Sequence, residues 1–180
     1  MRETTVPYST LVLGGVRSGK SAYAERLTLE RANGRSMNYI ATGVAFDDGM
    51  HARIARHVAR RGQQWTTHEA PVELMQTLLD TANADTIVLV DCLSVWLGNL
   101  LHYDMDVAAA TGKLLEYLPR LTGPVIFVAS ETGLGLLPDN ALGRQFCDAA
   151  GQLNQDLAAV CDEVTLVVAG YPLPVKSTNE

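Results

Sequence analysis

The run Gly14-Gly15-Val16-Arg17-Ser18-Gly19-Lys20-Ser21 matches the pattern G-x-x-x-x-G-K-[ST] at every fixed position. The residues before it, 9–13, are short and apolar like a β-strand, and a helical pattern follows Lys20 and ends at Asn33-Gly34. Glycines let backbone N–H groups turn inward around a phosphate, and the N-terminus of the following helix adds positive potential. Lys20 is expected to reach the β- and γ-phosphates, and the Ser21 hydroxyl to ligate Mg²⁺. The run therefore predicts a loop that binds the triphosphate of GTP or ATP.

Outward from this loop, apolar segments rich in β-branched residues alternate with segments of helical periodicity. The further predicted strands are residues 37–41, 86–90, 125–129 and 164–169, and the further predicted helices are residues 50–61, 72–81, 93–101, 107–121 and 140–160. This alternation predicts an α/β fold of the P-loop NTPase class, with a mostly parallel central sheet covered by helices on both faces. Ligands bind beyond the carboxyl ends of such strands, which here carry Gly14, Thr42, Asp91, Ser130 and Gly170.

Length, composition and charge indicate a single domain and argue against a nucleic-acid-binding protein and a membrane-spanning protein. The chain has 180 residues, 47% of them hydrophobic and 19% charged, and it carries no repeat or linker-like tract, so residues 1–180 are predicted to form a single domain. The net charge of -6 argues against a nucleic-acid partner. No apolar run approaches the ~18 residues of a membrane span. The three cysteines lack metal-ligand spacing, which is typical of reduced thiols in a cytosolic protein. Together, these features predict a cytoplasmic protein without a membrane span.

Two acidic residues follow predicted strands at the expected ligand edge. Asp91 ends a buried strand, where P-loop enzymes place the acid that contacts Mg²⁺ directly or through water. It also precedes a predicted helix, so it has an alternative role as the N-cap, and the metal role is favoured. Glu131 lies at the same edge, and its position alone does not distinguish a functional acid from a surface acid.

The predicted helix 50–61 carries Arg53, His57, Arg60 and Arg61 on one face. Such a cluster favours a bound anion, and arginine suits phosphate through its planar donor fork. The neighbouring charges disfavour an imidazolium and would keep His57 a neutral nucleophile. Spacing alone nevertheless favours the alternative, a solvated basic face with a surface histidine.

Several further blocks occur in a specific order. They are Tyr39-Ile40-Ala41-Thr42-Gly43, Arg53-Ile54-Ala55-Arg56-His57, Trp65-Thr66-Thr67-His68-Glu69, Val90-Asp91-Cys92-Leu93, Glu131-Thr132-Gly133-Leu134-Gly135 and Ala150-Gly151-Gln152-Leu153-Asn154-Gln155. With the phosphate loop, they resemble the bifunctional adenosylcobinamide kinase/adenosylcobinamide-phosphate guanylyltransferase family of cobalamin biosynthesis, over nearly the whole chain. The chain departs from that family at Ser130, Thr132 and Cys147, where asparagine, valine and arginine are usual.

The resemblance implies two reactions at one nucleotide site. GTP or ATP phosphorylates adenosylcobinamide, and GTP then gives GMP to an enzyme histidine, from which it passes to adenosylcobinamide-phosphate. The family histidine falls on His57, which with Lys20 would be catalytic. The resemblance also implies a homotrimer, and the Mg²⁺ ligands predicted above remain Ser21 and Asp91. The implied nucleotide contacts are Gly14, Gly15, Val16, Arg17, Ser18, Gly19, Lys20, Ser21, Thr42, Gly43, Val44, Val58, Ala59, Arg60, Arg61, Glu69 and Asp91.

Two other functions fit the phosphate loop. One is a monofunctional small-molecule kinase in which His57 only binds phosphate. The other is a non-catalytic nucleotide switch or assembly ATPase, which is disfavoured because the guanine-reading motif Asn-Lys-x-Asp of regulatory GTPases is absent from the sequence.

Overall fold

A computed structural model describes residues 8–44, 62 and 64–177. Within this part, seven strands form one sheet in the order β3-β2-β4-β5-β1-β6-β7. All neighbouring strands are parallel except β6 and β7, which are antiparallel, so the predicted mostly parallel sheet is confirmed. The strands are β1 Ser9–Gly14, β2 Ser36–Ala41, β3 Trp65–Glu69, β4 Thr86–Asp91, β5 Val125–Ser130, β6 Glu163–Val168 and β7 Tyr171–Lys176.

Helices cover both faces of the sheet. One face packs on α1 through Ala24 and Leu27, whereas α2 to α5 cover the other face. None of the described helices has the length and hydropathy of a membrane-spanning segment. The helices are α1 Lys20–Arg31, α2 Leu74–Thr81, α3 Leu93–His102, α4 Val107–Tyr117 and α5 Ala141–Val160, with a 3₁₀ turn at Leu118–Arg120.

The central strand β4 shows why the apolar runs form this sheet. Ile87 and Leu89 face α1, while Val88 and Val90 face the other layer, and all four side chains are fully buried. A strand covered on both faces needs apolar residues at consecutive positions, and this is the pattern that the sequence presents. The same alternation at Leu11 and Val12 places β1 in the middle of the core.

Three elements differ from the sequence-based expectation. The helix predicted over 107–121 ends at Tyr117, and the chain tightens into a 3₁₀ turn around Pro119 because proline cannot continue an α-helix. Strands β3 and β7 were not predicted. Both are edge strands: β3 carries mainly polar residues, and β7 contains Pro172 and Pro174. The helix predicted over 50–61 lies outside the described residues.

The hairpin β6–β7 is held at both ends. Its turn uses Ala169 and Gly170, with φ of 50° and 87°, the left-handed conformation that tight hairpins require. At the far end, Lys176 Nζ donates to the carbonyls of Ala158, Ala159 and Cys161 at 2.9, 3.1 and 2.6 Å. These carbonyls belong to the last turn of α5 and its end, where helix groups lack internal partners. The lysine thus ties the last strand to the body of the fold.

Candidate nucleotide-binding site

The phosphate loop lies between β1 and α1, as predicted. Arg17 and Gly19 adopt left-handed φ of 59° and 94°, and Ser18 N donates to Gly15 O at 3.2 Å. Lys20 Nζ donates to Gly15 O at 3.1 Å, so the ammonium lies over the loop. The first turn of α1 contains no acidic residue, and among the described residues no side chain caps it. Its amides, its dipole and Lys20 therefore give the loop a positive potential, which is the kind of site that suits a phosphate.

The loop is pressed against the end of β6 and the β6–β7 turn. Gly170 N donates to Ser18 O at 2.7 Å. A Cβ built on Gly14 would lie 2.4 Å from Ser18 Oγ and 2.7 Å from Val167 O, so a side chain has no room there. Ser18 Oγ is buried and has no hydrogen-bond partner among the described residues. An unpaired buried hydroxyl in a phosphate loop suits a site completed by a ligand oxygen.

Asp91 ends β4 at the same edge of the sheet. The helix-cap role proposed for it as an alternative is wrong, because Cys92 occupies the N-cap of α3. The Asp91 carboxylate instead accepts a hydrogen bond from Tyr39 Oη at 3.0 Å. Burial raises the pKa of the Cys92 thiol to about 11, with a further contribution from Asp91 and an opposing one from Lys20. Gly14 ends β1 and Asp91 ends β4, the two strands on either side of β5, so the acid and the phosphate loop lie at the same edge of the sheet.

These residues fit a magnesium ion that is shared with a nucleotide. In residues 8–44, 62 and 64–177, no group of three His, Cys, Asp or Glu side chains comes together to hold a metal alone. Mg²⁺ typically uses one or two carboxylates together with substrate phosphates and water. Asp91 and the Ser21 hydroxyl supply hard oxygen donors beside the phosphate loop, which is the donor type that this ion prefers.

Thr42 and Asn99 connect the ends of neighbouring strands. Thr42 is fully buried, and its hydroxyl donates to Cys92 O at 2.8 Å and accepts from Cys92 N at 2.9 Å. Asn99 Nδ2 donates to Thr42 O at 2.8 Å and to Pro71 O at 2.9 Å. The Thr42 side chain is thus engaged with the protein backbone, and the following residues Gly43 and Val44 are partly exposed at the edge. This network fixes where that segment leaves β2.

The two glutamates have different surroundings. Glu69 ends β3 and is exposed. Glu131 N donates to Gly14 O at 3.1 Å, and its carboxylate accepts from Gly133 N at 2.7 Å. Ser130, where the chain departs from the family pattern, forms hydrogen bonds through its main chain. Its N–H donates to Ser94 Oγ at 2.6 Å, and its carbonyl oxygen accepts from Asn154 Nδ2 at 3.2 Å. Glu131 therefore shapes the loop after β5, a role that its position in the sequence did not reveal.

Part of the predicted site lies outside the described residues, namely His57, Val58, Ala59, Arg60 and Arg61. Two other histidines are described. His68 Nε2 lies 3.1 Å from Asn38 Oδ1 on β2. His102 is exposed at the end of α3, the helix that runs back from the ligand edge.

Sequence reasoning missed the roles of Tyr39 and Asn99. Each is a polar residue inside an apolar element and is nearly fully buried. A buried polar group must find a partner, so their positions in apolar segments were the available signal. The identity of the partners depends on strand register and helix placement, which the sequence pattern does not specify.

Comparisons with known proteins agree with this geometry. The model of the cobinamide kinase / cobinamide phosphate guanyltransferase family matches residues 10–175. The chain is 48% identical over 169 residues to the bifunctional adenosylcobalamin biosynthesis protein CobP of Pseudomonas aeruginosa, covering 92% of this chain and 96% of that protein. It is 34% identical over 181 residues to the bifunctional adenosylcobalamin biosynthesis protein CobU of Escherichia coli, covering 92% and 98%.

A solved structure confirms the fold class. The flagellar accessory protein FlaH from Methanocaldococcus jannaschii is similar with a TM-score of 0.55 at 13% identity, over 96% of this chain and 80% of that one. At that identity the likeness concerns the fold alone, and the fold is that of P-loop NTPases. The phosphate loop, the acid that ends β4 and a family match over almost the whole chain lead to one assignment: this chain belongs to the cobinamide kinase / cobinamide phosphate guanyltransferase family.

Proposed function

We propose that this protein phosphorylates adenosylcobinamide with GTP or ATP and then transfers GMP from GTP to the product, giving adenosylcobinamide-GDP. The observation that carries the proposal is the positive potential of the phosphate loop beside Asp91, in a chain of a family described by both activities. In the first step, the corrinoid hydroxyl attacks the γ-phosphorus, its proton is released, and the bond to the bridging oxygen breaks. Lys20 and the amides at the start of α1 stabilise the negative charge on the phosphoryl oxygens.

Ser21 and Asp91 would hold Mg²⁺ together with the nucleotide phosphates. When bound, the ion supplies positive charge at the phosphate oxygens and fixes their orientation. The protein fixes the positions of these two oxygen donors. Lys20 is the only charged residue in the first turn of α1, so no acidic side chain there competes with the phosphates.

The second step is proposed to proceed through His57. A neutral imidazole nitrogen attacks the α-phosphorus of GTP and forms a P–N bond. The bond between the α-phosphorus and the oxygen that bridges it to the β-phosphorus breaks, and pyrophosphate leaves. A phosphate oxygen of adenosylcobinamide-phosphate then attacks the same phosphorus, and the P–N bond breaks. This route divides one difficult transfer into two easier ones. Its support is the resemblance stated above, in which the segment Arg53-Ile54-Ala55-Arg56-His57 corresponds to the family segment that carries the histidine.

GTP labelled on the α-phosphate tests this step. Wild-type protein should retain label as a phosphoramidate, stable in base and lost in acid, on a peptide that contains His57. His57→Asn should lose both the label and guanylyl transfer, while phosphorylation of adenosylcobinamide largely remains.

The matched control is His68→Asn. Asn38 Nδ2 donates to Thr81 O at 3.1 Å, which leaves Oδ1 to accept from His68 Nε2, so that nitrogen is a donor and not a nucleophile. His68→Asn should keep the label. Label that maps to another histidine would overturn the assignment of His57, and phosphorylation without any label would identify a monofunctional kinase.

We also propose that the chain acts as a single domain, residues 1–180, in a cytoplasmic homotrimer that has no membrane span and binds no nucleic acid. The family resemblance supports the trimer, and the net charge of -6 supports the lack of a nucleic-acid partner. Light scattering coupled to size-exclusion chromatography measures the mass in solution. A monomer mass of 19.4 kDa at working concentration would contradict the trimer.

A further inference from the structure

Tyr39 reaches along the sheet to the acid at the end of the neighbouring strand. In the β2–β4 pairing, Tyr39 lies opposite Leu89, and Ala41 lies opposite Asp91. Side chains two residues apart on a strand share a face, so Tyr39, Leu89 and Asp91 lie on one side of the sheet. The phenol spans the step between them, and its Oη donates to Asp91 Oδ2 at 3.0 Å.

The tyrosine ring is held firmly in this orientation. Its exposed fraction is 3%, and it belongs to the core cluster on the α1 face. Trp65 on β3 packs against it edge-on, with ring centroids 6.1 Å apart and an interplanar angle of 86°. A ring clamped between two strands cannot follow a moving carboxylate. The hydrogen bond therefore restrains the rotation of the Asp91 carboxylate about its own axis.

We propose that Tyr39 is a positioning residue that orients Asp91 for the nucleotide-bound magnesium ion. This inference rests on the metal role of Asp91 in the proposed function. A carboxylate that is already oriented loses less freedom when it joins the metal shell, and partners of this kind commonly change metal affinity by about 10–100-fold. Because Trp65 lies on the edge strand β3 and packs against the ring, β3 also helps to hold Tyr39 in this orientation.

Loss of the Tyr39 hydroxyl should change the selectivity of the site between Mg²⁺ and Ca²⁺. Mg²⁺ requires nearly ideal octahedral geometry, whereas Ca²⁺ accepts variable ligand positions and numbers. Removing the hydrogen bond from Tyr39 to the Asp91 carboxylate should therefore weaken the binding of Mg²⁺ more than the binding of Ca²⁺. A role of Tyr39 in core packing alone would affect the two ions equally, so the ratio of their affinities separates the two explanations.

Tyr39→Phe is the direct test, because it keeps the ring and its packing and removes only the hydroxyl. Binding of a fluorescent GTP analogue at equilibrium is titrated with MgCl₂ and, separately, with CaCl₂, so no turnover is needed. The half-saturating Mg²⁺ concentration should rise about tenfold. The Ca²⁺ value should rise clearly less, and affinity for the analogue without metal should stay within about twofold of wild type.

Two further variants make the result decisive. Thr81→Val removes another buried hydrogen bond, from Thr81 Oγ1 to Thr77 O at 2.6 Å, far from the ligand edge. It should lower the melting temperature without moving either titration. In Asp91→Asn, the added Tyr39→Phe change should have little further effect on the Mg²⁺ titration, because the tyrosine acts through the carboxylate.

The outcomes are distinguishable. If Asp91→Asn raises the Mg²⁺ requirement and Tyr39→Phe does not, the positioning role is overturned and the proposed function stands. Equal shifts for Mg²⁺ and Ca²⁺ in Tyr39→Phe, or full additivity in the double variant, also overturn it. If Asp91→Asn leaves the titration unchanged, the metal assignment in the proposed function fails as well.

Discussion

Replacing Gly14 by alanine should destabilise the nucleotide-free protein, while the same change at Gly15 should not. A Cβ on Gly14 would lie 2.4 Å from Ser18 Oγ and 2.7 Å from Val167 O. The hydroxyl can rotate away, but Val167 belongs to β6 and is paired in register with Gly14 itself. Its carbonyl cannot retreat without disturbing the β1–β6 ladder.

The adjacent glycine provides a matched reference. No described atom lies within 4 Å of a Cβ on Gly15, and its φ is not in the left-handed region. Both variants lose the same glycine freedom in the unfolded chain, so the difference between them isolates the steric clash. Overpacking of this kind costs about 1–3 kcal/mol. For a chain of this size, each kcal/mol shifts the melting temperature by about 2–4 °C.

Differential scanning calorimetry of the two variants, without nucleotide or metal, measures this difference. Gly14→Ala should melt about 2–12 °C below Gly15→Ala. The two variants are compared only as the free protein, because both glycines belong to the loop that is proposed to bind phosphate. Melting temperatures that agree within about 1 °C would refute the close approach of β6 to the loop.

Three shorter predictions concern other residues. Lys20→Ala should lower the rates of phosphorylation and of guanylyl transfer by about 10²–10³, and near-normal rates in coupled assays would contradict the phosphate loop assignment. Arg17→Gly relieves a left-handed φ of 59° and should raise the free energy of unfolding by up to about 1 kcal/mol while weakening GTP binding. Asp104→Gly, at φ 53°, should share the stability gain without the binding loss. Burial raises the pKa of Cys161 to about 12, so mass spectrometry should find this thiol unmodified by iodoacetamide at pH 8 until urea unfolds the chain.

The central part of the fold was predictable because its elements carry strong local signals. Strand β4 is apolar at consecutive positions, and the phosphate loop is specified by glycines whose backbone geometry no other residue supplies as easily. Strands β3 and β7 lack such signals, since an edge strand is covered less and tolerates polar residues or proline. Their place in the sheet is decided by the neighbours that they pair with.

The same distinction applies to the candidate site. The positions of Lys20 and Asp91 in the fold were predictable because a motif and a strand end fix them locally, while their roles stay predictions. The contact from Tyr39 to Asp91 was not, because it joins residues on separate strands and requires the exact β2–β4 register. The bond from Gly170 to Ser18 likewise joins opposite parts of the chain. Such contacts arise from tertiary packing and leave no periodic trace in the sequence.

The contact of the β6–β7 turn with the phosphate loop also limits when that loop can reach its folded arrangement during synthesis. The phosphate loop leaves the ribosome well before the strand beside it, β6, and before the turn that holds Ser18. Since β1 pairs with β5 and β6, an incomplete chain leaves this central strand without its neighbours. The phosphate loop therefore cannot take the arrangement seen in the folded protein until β6 and the β6–β7 turn have been synthesised.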